Sequence, residues 1–93
     1  MPTITLDSTI ARSPDQVSTD LGDEVVILGL PAEEYYALEA VGAHIWRQIA
    51  QPQTARAVLD SILRRYAVEP GRGQADLLAV LGELAGEGLI EVT

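Results

Sequence analysis

The spacing of apolar residues changes once along this chain, near residue 38, and no other feature of the sequence restricts the fold as strongly. Before that point apolar and polar residues tend to alternate; beyond it the apolar ones recur every three to four positions. The first period belongs to strands with one covered face, the second to helices with one buried stripe. Thr3-Ile4-Thr5-Leu6 alternates over four residues and predicts a short strand. Ile10-Ala11-Arg12 continues an edge, broken by the turn cluster Ser13-Pro14-Asp15. Gln16 to Leu21 alternates again, with Val17 and Leu21 expected to point inward. Gly22-Asp23 then separates it from Glu24-Val25-Val26-Ile27-Leu28, and a glycine in the first central position suits a two-residue type II′ hairpin. The second run is continuously apolar, which predicts a central strand covered on both faces. Pro31-Ala32-Glu33 predicts the next turn and Tyr35-Tyr36-Ala37-Leu38 a third, short strand. The expected result is a three-stranded antiparallel meander.

Three helices follow. The first is predicted from about Glu39 to Ala50, its stripe formed by Leu38, Val41, Ile45 and Ile49 and widened by Trp46. Gln51-Pro52-Gln53 stops it, because proline breaks the hydrogen-bond ladder. Thr54 is a good N-cap for the second helix, whose inner face is Val58, Leu59, Ile62, Leu63 and Tyr66. Arg64 and Arg65 suit its negative end. Val68-Glu69-Pro70-Gly71 predicts another break, and the third helix is expected from about Gly73 to Glu87. Leu77, Leu78, Leu81 and Leu84 face its core side, and Gly88 fits the left-handed position after its end. Leu89 to Val92 leaves in extended form.

No linker or repeat interrupts this order. With 93 residues there is room for one domain, 1–93, with a sheet part over about 3–38 and a helical part over about 39–88. Leu, Ile and Val together supply 27 residues, enough for an aliphatic core without a metal or disulfide staple. The fold class is therefore α+β: a three-stranded antiparallel sheet followed by three α-helices, an arrangement like a winged helix-turn-helix.

Charge narrows the function. Fourteen acidic residues stand against six basic ones, all arginine, for a net charge of −8. Nucleic-acid binding requires cations to replace phosphate counterions, so a winged-helix DNA-binding or regulatory role is the weaker alternative; the third helix carries only Arg72, at its start. A basic peptide or basic protein surface is the favoured partner. The absence of cysteine removes thiol chemistry and cysteine-based metal sites, and the lone histidine, His44, lacks a nucleophile partner or fellow ligands. Asp20, Asp23 and Glu24 match no calcium loop, and Gly71-Arg72-Gly73 lacks the remaining glycines and the lysine of a phosphate loop. Neither a membrane span nor a signal peptide is visible, which predicts a cytoplasmic protein with no catalytic residues, no metal and no cofactor.

Binding remains. The third strand should form a sheet edge, and an open edge exposes N–H and C=O groups that can pair with an added strand. Beside it should lie the third helix, presenting Asp76, Val80 and Glu83 at i, i+4 and i+7. Tyr36 alternates with Leu38 on the core side, leaving Tyr35 on the other face. Asp76 and Glu83 suit solvation of the helix and contact with a basic partner equally well.

Several stretches in this order resemble the PqqD-like family, the recognition element of ribosomal peptide biosynthesis. They are Asp23 to Leu28, Glu34 to Leu38, Val41-Gly42-Ala43-His44-Ile45-Trp46, Leu63 to Val68, and Ala75-Asp76-Leu77-Leu78 through Leu81 and Leu84 to Gly88-Leu89-Ile90. Together they cover about four-fifths of the chain. The chain is most similar to the discrete members that serve lasso peptide biosynthesis. The resemblance implies a precursor's leader peptide, extended and often basic with a Tyr-x-x-Pro-x-Leu pattern, added as a β-strand along Glu34, Tyr35, Tyr36, Ala37 and Leu38. Asp76, Leu77, Val80, Leu81, Glu83 and Leu84 would form the helix wall. It further implies presentation to a separate leader-cleaving cysteine protease, with an ATP-dependent macrocyclase acting next.

Overall fold

The computed structural model describes residues 3–30 and 33–93. The strands are β1 (Thr9–Arg12), β2 (Gln16–Asp20), β3 (Glu24–Gly29), β4 (Glu34–Glu39), β5 (Gln53–Thr54) and β6 (Ile90–Val92); the helices are α1 (Ala40–Gln48), α2 (Ala55–Arg65) and α3 (Pro70–Gly86). β2, β3 and β4 form the expected antiparallel meander with β3 in the centre. Gly22, at φ 83°, opens the hairpin turn, and its N–H donates to Asp20 Oδ1. Leu21 N–H donates to the Glu24 carbonyl, closing a two-residue loop. The turn expected at Pro31-Ala32-Glu33 falls partly outside the described residues; Glu33 itself has φ 54°.

Two sheet expectations are corrected. β3 is not equally covered on both faces: Val25, Ile27 and Gly29 are buried, whereas Glu24, Val26 and Leu28 are only half-buried. Val17 and Leu21 do not face inward. Val17 stands opposite Leu28, on the outer face, and Val17 and Leu21 are both more than half exposed. The pleat decides this. Once Val25 and Ile27 enter the core, their partners Asp20 and Ser18 share that face, and Val17 must lie on the other.

A second antiparallel sheet, in the order β5-β1-β6, ties the chain's ends together around the fully buried Ile10. The strand expected at Thr3–Leu6 is absent. Ser8 folds that segment into a turn, its N–H bonding the Thr5 carbonyl and its Oγ accepting from Thr5 N–H. The segment then serves the start of α2: Ser8 and Leu6 carbonyls accept the N–H groups of Ala55 and Arg56, and the Thr54 hydroxyl accepts from Ala57. Three N–H groups without an intrahelical partner are thereby satisfied.

The core joins β3, the three helices and the strand ends. Trp46, Ile45 and Ile49 from α1 and its end meet Val58 and Ile62 of α2 and Leu77 and Leu81 of α3. α1 is shorter than the predicted 39–50. It starts directly from β4 through Ala40, at φ 50°, with no loop between them. α3 begins at Pro70 and not at Gly73, because proline, a breaker inside a helix, is preorganised for its first position. Gly73 is then buried within α3, where a Cβ would lie 3.3 Å from Leu63 Cδ2. Gly88, at φ 72°, ends α3: Leu89 N–H bonds the Leu84 carbonyl and Gly88 N–H that of Ala85. This pair of bonds folds Leu89 back under Leu84. Among the described residues no helix is long and apolar enough to cross a membrane.

Candidate functional site

β4 is an edge strand, and the ladder dictates which of its backbone groups are free. The closing pair Leu21–Glu24 is hydrogen-bonded, so bonding alternates along the hairpin and uses Val26 and Leu28 towards β2. Val25, Ile27 and Gly29 therefore bond towards β4, to Leu38, Tyr36 and Glu34. The N–H and C=O groups of Tyr35 and Ala37 are left pointing away from the sheet. These are the groups that an additional strand would use.

Alongside this border runs a groove of about 450 Å³. Tyr35, Tyr36, Ala37 and Leu38 form one wall; Glu83, Leu84, Glu87 and Leu89 form the other. Tyr36 spans the two. Its hydroxyl lies 2.6 Å from Glu87 Oε2 and 2.9 Å from Glu34 Oε2, linking the strand to the end of α3. The bond to Glu87, then that to Glu34, raises the phenol's pKa, since each carboxylate favours the protonated form. One O–H donates to one acceptor at a time, so the second carboxylate keeps an acceptor free for a donor from outside.

The residues singled out from the sequence divide. Tyr35, Tyr36, Ala37, Leu38, Glu83 and Leu84 come together in the groove, and Glu34 joins through Tyr36. Leu77 and Leu81 lie at 0% exposure in the core, behind the wall and not on its surface. Val80 is half-buried against the core. Asp76 is exposed one turn from Arg72, at a carboxylate-to-guanidinium distance of 3.9 Å. It sits 11 residues before Glu87, roughly 16 Å along the helix axis. Glu87 and Leu89 were missed. Their signals were present: Glu87 follows Glu83 by one turn, and Leu89 follows the helix-ending Gly88 that turns it inward.

A second concavity, of about 520 Å³, lies beyond the β2–β3 turn among Asp23, Glu24, Glu39, Ala40, Arg47, Arg65 and Tyr66. Arg47 there is already engaged, bidentate to Asp20 at 2.7 and 2.8 Å and bonded to the Gly22 carbonyl. This pairing lowers the Asp20 pKa. His44 is half-buried between α1 and α2, its Nε2 2.7 Å from Ser61 Oγ and its ring edge-on to Tyr66. Burial, then the nearby Arg65 and Arg47, lowers its pKa. Among the described residues no group of three potential ligands could hold a metal ion.

Residues 24–90 match the family model described as coenzyme PQQ synthesis protein D (PqqD). Two solved structures share the fold. "TbiB1 in Complex with the TbiA(beta) Leader Peptide" is 33% identical with a TM-score of 0.83, covering 87% of this chain and 94% of its own. "Lasso peptide synthetase B1 complexed with the leader peptide" is 20% identical with a TM-score of 0.78, covering 88% and 96%. No curated protein sequence matches the chain.

Proposed function

The chain belongs to the PqqD family, and on that premise we propose that it is a non-catalytic adaptor holding the leader of a ribosomally made precursor peptide, of the lasso type, as a fourth strand on β4. One observation carries this reading: the unspent N–H and C=O groups of Tyr35 and Ala37 open onto a groove with apolar walls and acidic lips. Backbone pairing would supply general affinity for an extended chain. Leu38, Leu84 and Leu89 would accept apolar anchors, and Glu83, Glu87 and Glu34 would favour basic residues in a leader. A net charge of −8 would speed the encounter with such a peptide. The relative of known structure that is 33% identical is itself described as bound to a leader peptide, which supports carrying that ligand over.

Asp76 and Val80 lie further along α3 and would meet only a leader extending past the groove. Leu77 and Leu81 would act indirectly, by setting the height of the wall from the core. The held precursor would be passed to a separate leader-cleaving cysteine protease and then to a macrocyclase, in the cytoplasm. Residues 1–93 would work as one binding domain.

The test is amide hydrogen exchange with and without a synthetic basic leader peptide of Tyr-x-x-Pro-x-Leu spacing. The Tyr35 and Ala37 amides should slow on binding, while those of Tyr36 and Leu38, already bonded to β3, should change little. Binding that leaves Tyr35 and Ala37 exchanging as in the free protein would overturn strand addition.

A further inference from the structure

Three carboxylates gather where α3 ends, and local rules favour none of them there. Glu83 and Glu87 lie one turn apart, in the last turn and at the C-cap of α3. Their charges repel at that spacing. Both also stand at the negative end of the helix dipole, which ordinarily draws Lys, Arg or His, yet no basic residue occupies that turn. Glu34, at the start of β4, is brought to the same spot by Tyr36, whose hydroxyl lies within hydrogen-bond distance of Glu34 Oε2 and Glu87 Oε2 at once. Departures from local preference of this kind are expected at functional sites.

Packing places the tyrosine that joins the two carboxylates. Gly29 stands opposite Glu34 across the ladder and is buried. A Cβ there would lie 3.3 Å from Leu89 Cδ2 and 3.6 Å from Tyr36 Cε2; without one, Leu89 and the ring close over the glycine. The hydroxyl so positioned has one proton for two carboxylates, and only one of them holds it at a time. No cation of the chain serves the other. Among the described residues, Arg47, Arg56 and Arg72 pair with Asp20, Asp7 and Asp76, and Arg12 bonds the Trp46 carbonyl. Arg64 and Arg65 belong to the end of α2, and the chain has no lysine.

Strand pairing decides which guest residue arrives here. On a strand added to β4, side chains opposite Tyr35 and Ala37 point to the outer face, and those opposite Glu34, Tyr36 and Leu38 point into the groove. The inward positions meet different surfaces. Leu38 is apolar; four residues away, Glu34 and Glu87 present two carboxylates around one hydroxyl. We infer that Glu34 and Glu87, held together by Tyr36, select a single Arg or Lys of the leader, at the inward position opposite Glu34 and four residues from the side chain seated against Leu38. One guanidinium or ammonium there touches both carboxylates and supplies the donor that the phenol cannot. The inference rests on the leader-binding reading above, and turns a general preference for basic leaders into a requirement at one position.

The probe is the synthetic leader peptide with one arginine moved residue by residue. Each version is compared by calorimetry with the same peptide carrying citrulline, the neutral isostere of arginine. Salt is held at about 0.15 M, which screens the diffuse attraction of the acidic chain beyond about 8 Å. The readout is the ratio of the two affinities. The parent should prefer arginine by about fivefold at one position, the upper range for an exposed ion pair, and by less than about twofold two residues to either side. In Glu87→Gln, which keeps an acceptor for Tyr36, and in Tyr36→Phe, which keeps the ring over Gly29, that ratio should fall below about twofold. An arginine preference spread evenly over all positions overturns the inference while strand addition to β4 stands. So does a ratio that survives Glu87→Gln, including one preserved because both peptides weaken in proportion. Failure of the parent to bind any version of the leader overturns the groove and this inference together.

Discussion

Two concavities of similar size lie on this molecule, and they differ in what their hydrogen-bonding groups have left to do. The larger, beyond the β2–β3 turn, is rich in charge, yet its Arg47 is committed to Asp20 and the Gly22 carbonyl. The smaller, along β4, has less charge but borders Tyr35 and Ala37, whose backbone groups have no partner in the ladder. Volume would favour the first. Unspent hydrogen bonds favour the second, because an extended guest can satisfy them at every other residue. The lesson is that a recognition surface is better found by accounting for donors and acceptors than by measuring space.

The contrast can be broken most directly at Ala37. Ala37→Pro deletes an outward N–H and puts a ring where a guest strand would lie, while β3 keeps its bonds to Tyr36 and Leu38. Leader affinity by calorimetry should fall at least tenfold with the far-UV circular dichroism preserved; retained affinity would mean that β4 is not the border used. Glu87→Arg should weaken a basic leader by about threefold to tenfold, consistent with roughly 1 kcal/mol for a solvent-exposed ion pair, and the loss should shrink as salt rises. An effect independent of salt would assign Glu87 to shaping the groove through Tyr36 and not to charge.

The larger concavity should respond in the opposite way. Its neighbour His44 has a lowered pKa in the folded protein, so the unfolded chain binds the proton more readily. Stability should therefore be full above about pH 6.5 and fall as the pH drops below that value. Thermal melts of the parent and His44→Gln at pH 7.5 and pH 5.5 should show the pH-dependent loss reduced in the variant; equal losses would remove His44 as the cause. Arg47→Gln is the smallest expected effect: leader affinity within twofold of the parent. A tenfold loss there would transfer the site to the larger concavity.

Much of this architecture was legible because it is local. Alternation gave the meander, Gly22 its turn, Thr54 a helix start and Gly88 a helix end, each decided by neighbours a few residues away. The β5-β1-β6 sheet was not legible, since it joins residues near the two ends of the chain and a pair from its middle through strands of two to four residues. Pro70 was misread because proline stops a helix from within and starts one from its first position. Val17 was misread because a six-residue alternation reveals two faces without saying which is covered; the partners Ser18 and Ile27 decide that. In the groove, the β4 wall was readable as an edge. The α3 wall was only half readable, for helical spacing identified a side of the helix but not how deeply Leu77 and Leu81 sink into the core.

The phase of the β4 ladder has one more effect. Because only every second residue offers its main chain outwards, a visiting strand displaced by a single position would turn its anchors to the wrong side of the sheet, and one displaced by two would meet an equivalent pair of bonds. Errors of alignment are thus quantised in whole pleats. Only side chains that differ at a spacing of two, such as the step from Leu38 to Tyr36 to Glu34, can tell neighbouring alignments apart.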